Sequence, residues 1–142
     1  MLLGKFMPPH RGHEYMIRFA AGLVDELTVH VCTSIREPIC GKLRYGWMKD
    51  HFGGVRIVHN DDENPLEPEE DPENFWEIWR TSLMRRMDHA PDFVFASETY
   101  GHRLAEELGA TFIPVDPQRE MTPIHARHIL ADPMRHWDSM IP

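Results

Sequence analysis

A chain of 142 residues with 42% apolar content has room for one ordinary domain around one core, and residues 1–142 read as a single domain. Its net charge of −8 excludes general nucleic-acid binding, and no apolar run approaches the roughly 18 residues of a membrane span. The start, Met1-Leu2-Leu3-Gly4-Lys5, is not built as a signal peptide, and Cys32 and Cys40 have neither CxxC nor zinc spacing, so a cytoplasmic protein with reduced thiols is expected.

The charge is uneven. Residues 61–77 carry nine acids and no Lys or Arg, and with Pro65, Pro68 and Pro72 they read as a solvated loop. The rest of the chain is near neutral and has room for a basic pocket.

In chain order, Leu2-Leu3-Gly4-Lys5-Phe6 predicts a short strand stopped by Pro8-Pro9. Tyr15, Met16, Phe19, Ala20 and Leu23 then recur at helical spacing. Leu27 to Cys32 alternates as a strand, with Val29 and Val31 on one face. Leu43, Trp47, Met48 and Phe52 suit a helix that ends at Gly53-Gly54, with Trp47 in the core. Val55 to Val58 is a further strand, and Phe75, Ile78, Trp79, Ser82, Leu83 and Met87 fit a helix after Pro72. Phe93 to Ala96 is an apolar strand. Leu104, Ala105 and Leu108 lie on a helix closed by Gly109, and Thr111 to Val115 is the last strand. Strands alternating with amphipathic helices predict an α/β fold: a five-stranded parallel sheet with helices on both faces, plus a helical tail from about residue 125. Such sheets bind ligands at the carboxyl ends of their strands, which points to the loops beginning at Phe6, Cys32, His59, Ala96 and Val115.

The first of these loops carries the chemistry. Gly4-Lys5-Phe6-Met7-Pro8-Pro9-His10-Arg11-Gly12-His13 leaves a strand and opens a helix, whose N-terminus favours anions. His10 and His13 can donate to phosphate oxygens, Gly12 permits close backbone approach, and Lys5 and Arg11 add positive charge. The competing reading is a proline-rich turn with two exposed histidines. No P-loop, GxGxxG, GxSxG or HExxH string is present.

The string resembles the G-[KR]-F-x-P-x-H-x-G-H signature of the HxGH nucleotidyltransferase superfamily. The resemblance implies a Rossmann-like nucleotidyltransferase fold and a direct displacement without a covalent enzyme intermediate. It casts His10, His13 and Lys5 as catalytic, with Gly4, Phe6, Met7 and Gly12 in the nucleotide-binding loop and Mg2+ accompanying ATP. The superfamily often assembles, so a homo-oligomer stays open.

Nearly the whole chain is similar to the nicotinamide-nucleotide adenylyltransferase domain of bifunctional NAD-biosynthesis regulators. The likeness lies in Arg44-Tyr45-Gly46-Trp47-Met48, Trp76-Glu77-Ile78-Trp79, the segment Pro91 to Gly101, Val115-Asp116-Pro117-Gln118-Arg119 and the tail Asp132 to Trp137. It implies ATP and nicotinamide mononucleotide (NMN) as substrates and NAD as product. An indole face suits a cationic pyridinium, so Trp76 is the preferred stacking partner; Trp79 is divided between that role and the core. Ser97 and Glu98 follow a strand end, where Ser97 has helix capping as a rival role. Arg44 and Arg119 are candidate phosphate contacts, with exposed surface positions as the alternative.

One part departs from the superfamily. Its second signature usually reads P-I-S-x-T-x-[IV]-R, and its arginine binds the ATP phosphates. Here Ile124 is kept, His125 replaces the serine, Arg127 the threonine and Leu130 the arginine. Losing a charge-assisted polyphosphate contact costs about 1.5–3 kcal/mol, which Arg127, one helical turn earlier, is placed to offset, aided by His125. The alternatives are another transferase of the superfamily (a pantetheine-phosphate adenylyltransferase or a cytidylyltransferase), a non-catalytic nucleotide sensor, and a histidine-rich metal module.

Overall fold

Within residues 1–118, five strands and four α-helices alternate: β1 (Leu2–Gly4), α1 (Arg11–Leu23), β2 (Thr28–Cys32), α2 (Gly41–His51), β3 (Arg56–Asn60), α3 (Phe75–Met84), β4 (Phe93–Ala96), α4 (Tyr100–Leu108) and β5 (Thr111–Pro114). Short 3-10 turns occur at Pro68–Glu70 and Trp137–Ser139. The structure, a computed structural model, describes residues 1–118, 130–132, 134–135 and 137–141. The expected tail helix from about 125 lies largely outside the described residues.

All paired strands are parallel. The ladder runs in two pieces, β1-β2-β3 and β4-β5, rather than as one uninterrupted five-stranded sheet. β1 is only three residues long, so its free edge makes one repeat with β4 instead of a full ladder. The Met1 ammonium donates to the Phe93 carbonyl at 2.6 Å, and the Phe95 N–H donates to the Met1 carbonyl at 3.0 Å. One residue bonded on either side of its neighbour is the parallel pattern. The strand order across the seam is therefore β3-β2-β1-β4-β5, and it reverses between β1 and β4.

β2 is buried along its whole length because it is covered on both faces. Val29 and Val31 join Met16, Ile17 and Ala20 of α1 and Met48 of α2 in one core cluster. On the other face Cys32, Val94 and Leu83 pack with Leu104, Ala105 and Leu108 of α4. Each fully buried Val, Leu or Ile contributes roughly 1.5–3 kcal/mol. Two glycines let α4 lie on the sheet. A Cβ at Gly101 would stand 2.5 Å from the Phe112 ring and 2.7 Å from the Ala96 Cβ. Gly109 ends the helix in the left-handed region at φ 68, where its N–H reaches back to the Ala105 and Glu106 carbonyls.

Two expectations need correction. Of the residues expected on the apolar face of α2, Met48 and Phe52 are buried, but Leu43 and Trp47 are 53% and 41% exposed, and Arg44 turns inward. Residues 61–77 are not simply a solvated loop. Most of the segment is exposed, but Asp62, Glu63 and Glu70 find partners remote in sequence, described below, and these hold it against the body of the fold. Among the described residues no helix is long and apolar enough to cross a membrane.

Candidate active site

β1 ends at Gly4, and the chain turns through Phe6, whose φ of 50 lies in the left-handed region that non-glycine residues rarely adopt. The Phe6 ring is buried edge-on against His13, with ring centroids 4.7 Å apart. His10 then caps α1. Its Nδ1 accepts the Gly12 N–H at 3.0 Å, and the His13 Nδ1 accepts the His10 N–H at 3.1 Å. Each Nδ1 is thus an acceptor, so the neutral rings carry their protons on Nε2. The rings stack at 3.7 Å with 21° between their planes. Backbone capping therefore sets both the tautomer and the orientation of the pair.

His13 lines a cavity of about 850 Å³ at the carboxyl ends of the strands. The reversal of strand order puts the loops after β1 and β4 side by side there, and Gly4, Lys5, Ser97 and Glu98 lie on its wall. The Ser97 hydroxyl donates to the Val115 carbonyl at 2.6 Å, tying the end of β4 to the end of β5. Trp76 and Trp79 form the far wall with Phe75. The Arg103 guanidinium sits 5.2 Å over the Trp76 ring, and the Trp79 Nε1 donates to the Pro65 carbonyl at 2.9 Å.

The acidic segment closes a third side with Asp62, Asn64, Leu66, Glu67 and Pro68. Arg86 grips Asp62 with two hydrogen bonds of 3.0 Å, and Ser82 donates to it at 2.7 Å. Arg86, with help from Ser82 and Arg85, holds the Asp62 carboxyl below its usual range despite partial burial. Asn60 and Asn64 both donate to the Ser82 hydroxyl oxygen. Glu63 accepts the Ser34 hydroxyl and the Ile35 N–H, and Arg36 binds Glu70 at 2.8 Å.

No family model matches the chain. It is 28% identical to the trifunctional NAD biosynthesis/regulator protein NadR of Escherichia coli (strain K12) over 159 aligned positions. It is 27% identical to the NadR of Salmonella typhimurium (strain LT2) over the same span. Each alignment covers 97% of this chain and 37% of the relative, so the chain spans little more than a third of those proteins. This chain is a homologue of NadR. A crystal structure of NadR with NAD and AMP-PNP shares the fold, with TM-score 0.72 at 19% identity over 98% of this chain and 43% of that one. So does a bifunctional NMN adenylyltransferase/ADP ribose pyrophosphatase from Francisella tularensis complexed with AMP and a manganese ion: TM-score 0.60 and 17% identity over 81% of this chain and 36% of that one.

Of the residues singled out from sequence, the cavity brings together Gly4, Lys5, His13, Trp76, Trp79, Ser97 and Glu98. Others stand behind its wall. His10 is 2% exposed, stacked beneath His13 and bridged to Met140, while the Arg11 guanidinium donates to the Asp138 carbonyl at 2.6 Å. Gly12 gives its N–H to the His10 cap, and neither Phe6 nor Met7 borders the cavity. Arg44 is neither an exposed residue nor a cavity contact. Fully buried, it spends its guanidinium on the Ile39 carbonyl, the Lys5 carbonyl and the Glu37 carboxylate. Arg119, Ile124, His125 and Arg127 lie outside the described residues. Leu130, described, is 42% exposed. Thr33, Glu37, Asp62, Asn64 and Tyr100 also line the cavity and were not singled out. The strand-end rule marked the loops after β2 and β3 that carry four of them, but nothing local marks which side chains turn inward.

Proposed function

We propose that this chain binds ATP and NMN in the cavity at the carboxyl edge of the sheet and transfers AMP from ATP to NMN, giving NAD and pyrophosphate. One observation carries the reading. A single cavity of about 850 Å³ joins an anion-suited histidine loop to an indole wall, and its volume is in the range of small-molecule and cofactor sites. Homology to NadR, an NAD biosynthesis protein, supports it, as do the NAD and AMP-PNP held by the NadR of the same fold.

In this reading an oxygen of the NMN 5′-phosphate attacks the α-phosphorus of ATP. The new P–O bond forms as the bond to the bridging oxygen breaks, and pyrophosphate leaves with that electron pair. The nucleophile is already anionic at neutral pH, so no general base is needed. The His13 Nε2–H donates to an oxygen of the reacting phosphorus, and His10 holds that ring from behind. Lys5 and the positive end of α1 balance charge on the polyphosphate. The pyridinium stacks against Trp76, while Trp79 keeps the acidic segment in place through Pro65.

A Mg2+ ion bound with ATP would neutralise part of the polyphosphate charge. Among the described residues no three His, Cys, Asp or Glu side chains converge on a metal-sized point. Such an ion would be carried mainly by phosphate and water oxygens, with Glu67 or Glu98 on the cavity wall as candidate carboxylate contacts, since both Asp62 oxygens are taken by Arg86 and Ser82.

Calorimetric titration with NMN and with NAD, followed by a coupled assay for NAD formed from NMN, ATP and magnesium, tests the proposal. Binding with turnover is expected. Binding without turnover refutes catalysis and leaves a nucleotide sensor, and no binding of either ligand refutes the nicotinamide site.

A further inference from the structure

Lys5 is the one Lys or Arg on the wall of the cavity among the described residues. Its side chain is 49% exposed, and a lysine on a four-carbon stem has rotamer freedom to lose before it can act as a placed charge. What restrains it is Glu37, whose side chain is 4% exposed and also lines the cavity. The Glu37 Oε1 accepts the Ser34 N–H at 2.8 Å and an Arg44 N–H at 2.9 Å. Its Oε2 accepts no hydrogen bond and faces the Lys5 Nζ at 3.6 Å. Arg44, on the far side, donates to the Lys5 carbonyl at 2.8 Å and the Ile39 carbonyl at 3.0 Å, so one buried guanidinium fixes the main chain of Lys5 and the carboxylate that its ammonium meets.

A buried ion pair is a poor device for stability, because desolvation offsets most of its attraction. Here it places a carboxylate on the cavity wall, with one oxygen bonded to Ser34 and Arg44 and the other, itself buried, facing the Lys5 ammonium at 3.6 Å. We infer that Glu37 is a positioning residue: through Oε2 it holds the Lys5 ammonium where an incoming polyphosphate meets it, and Arg44 keeps Glu37 in place from behind. The inference rests on the anion-binding part of the proposed function. It adds a residue from the β2–α2 loop that itself repels the ligand and serves only through its partner.

That opposition makes the test specific. Removing the Glu37 charge alone favours an anion, and this gain appears undiluted when Lys5 is absent. When Lys5 is present the gain is offset, because the ammonium is no longer held. Inorganic tripolyphosphate is titrated into the wild-type chain, Glu37→Gln, Lys5→Ala and the double variant. Glu37→Gln is expected to tighten binding in the Lys5→Ala background, with a factor about fivefold smaller, or reversed, when Lys5 is kept. Glu37→Asp retains the charge beside Arg44 and withdraws the oxygen from Lys5, so it serves if Glu37→Gln folds poorly; it is expected to weaken binding only when Lys5 is present.

The chain has three lysines, Lys5, Lys42 and Lys49, so side-chain ammonium signals in an NMR spectrum are readily assigned. The Lys5 signal is expected to be visible in the wild type and broadened by exchange in either Glu37 variant, with the other two unchanged. Equal factors in both backgrounds, or an unaltered Lys5 signal, overturn the positioning role while leaving the proposed function standing. No binding of tripolyphosphate by the wild-type chain overturns both.

Discussion

Replacing His13 by Ala removes two separable things. One is the acceptor that caps the His10 N–H at 3.1 Å, and a lost N-terminal cap costs about 1 kcal/mol. The other is the Nε2–H donor on the cavity wall, which under the proposed chemistry is worth at least about 100-fold in kcat, or about 2.7 kcal/mol. The two effects differ enough to be told apart. A domain of even about 5 kcal/mol stability that loses about 1 kcal/mol keeps all but roughly one chain in a thousand folded, so unfolding cannot imitate the kinetic loss. Urea unfolding followed by tryptophan fluorescence measures the first effect, and the coupled NAD assay at saturating NMN and ATP measures the second. A near-normal rate in His13→Ala refutes the role of the imidazole, as does a rate that falls only in step with the folded fraction.

Trp76→Ala is expected to weaken NMN binding about tenfold by calorimetry, in line with about 1–2 kcal/mol for a desolvated cation–π contact, and to leave tripolyphosphate binding unchanged; equal NMN affinity would remove the indole from the reading. His30, fully buried on β2, has its imidazole pushed down to about 4 by burial, with the amino terminus, Arg86 and Arg56 adding to the effect. The unfolded chain takes up that proton near pH 6.5, so stability is full above about 6.5 and falls as the pH drops toward 4, by about 2 kcal/mol at pH 5. His30→Leu should remove this component from urea midpoints measured between pH 7.5 and 5, and an identical slope in the variant would assign the dependence elsewhere. Arg44→Met deletes three hydrogen bonds and leaves Glu37 buried without its guanidinium, at an expected cost of about 3–5 kcal/mol in the same unfolding experiment; a loss under 1 kcal/mol would contradict the staple. Leu130→Arg, on an exposed position, should leave stability within about 0.5 kcal/mol and keep or raise ATP affinity, and a large loss of affinity would mean that this tail has its own geometry.

The sequence by itself determined whatever depends on near neighbours in the chain. Apolar period separates α1 from β2 because side chains repeat every 3.6 residues on a helix and every two on a strand. Gly109 ends α4 because the left-handed turn costs it little, and the run from Gly4 to His13 is legible because its strand, loop and helix cap are contiguous. Tertiary structure decided what depends on partners far along the chain. Arg44 looks like a surface cation on α2, yet it is buried because Glu37 and two carbonyls, one of them 39 residues away, satisfy all of its guanidinium nitrogens. Asp62 belongs to a stretch that reads as solvated, and becomes cavity wall only because Ser82, Arg85 and Arg86 come from α3 and the turn after it. His10 and His13 are indistinguishable as a pair in the string; the cap and the stack make one the lining residue and the other its support. Local pattern is set by short-range sterics and amphipathicity, whereas the sign and solvation of a charge are set by what the fold brings against it.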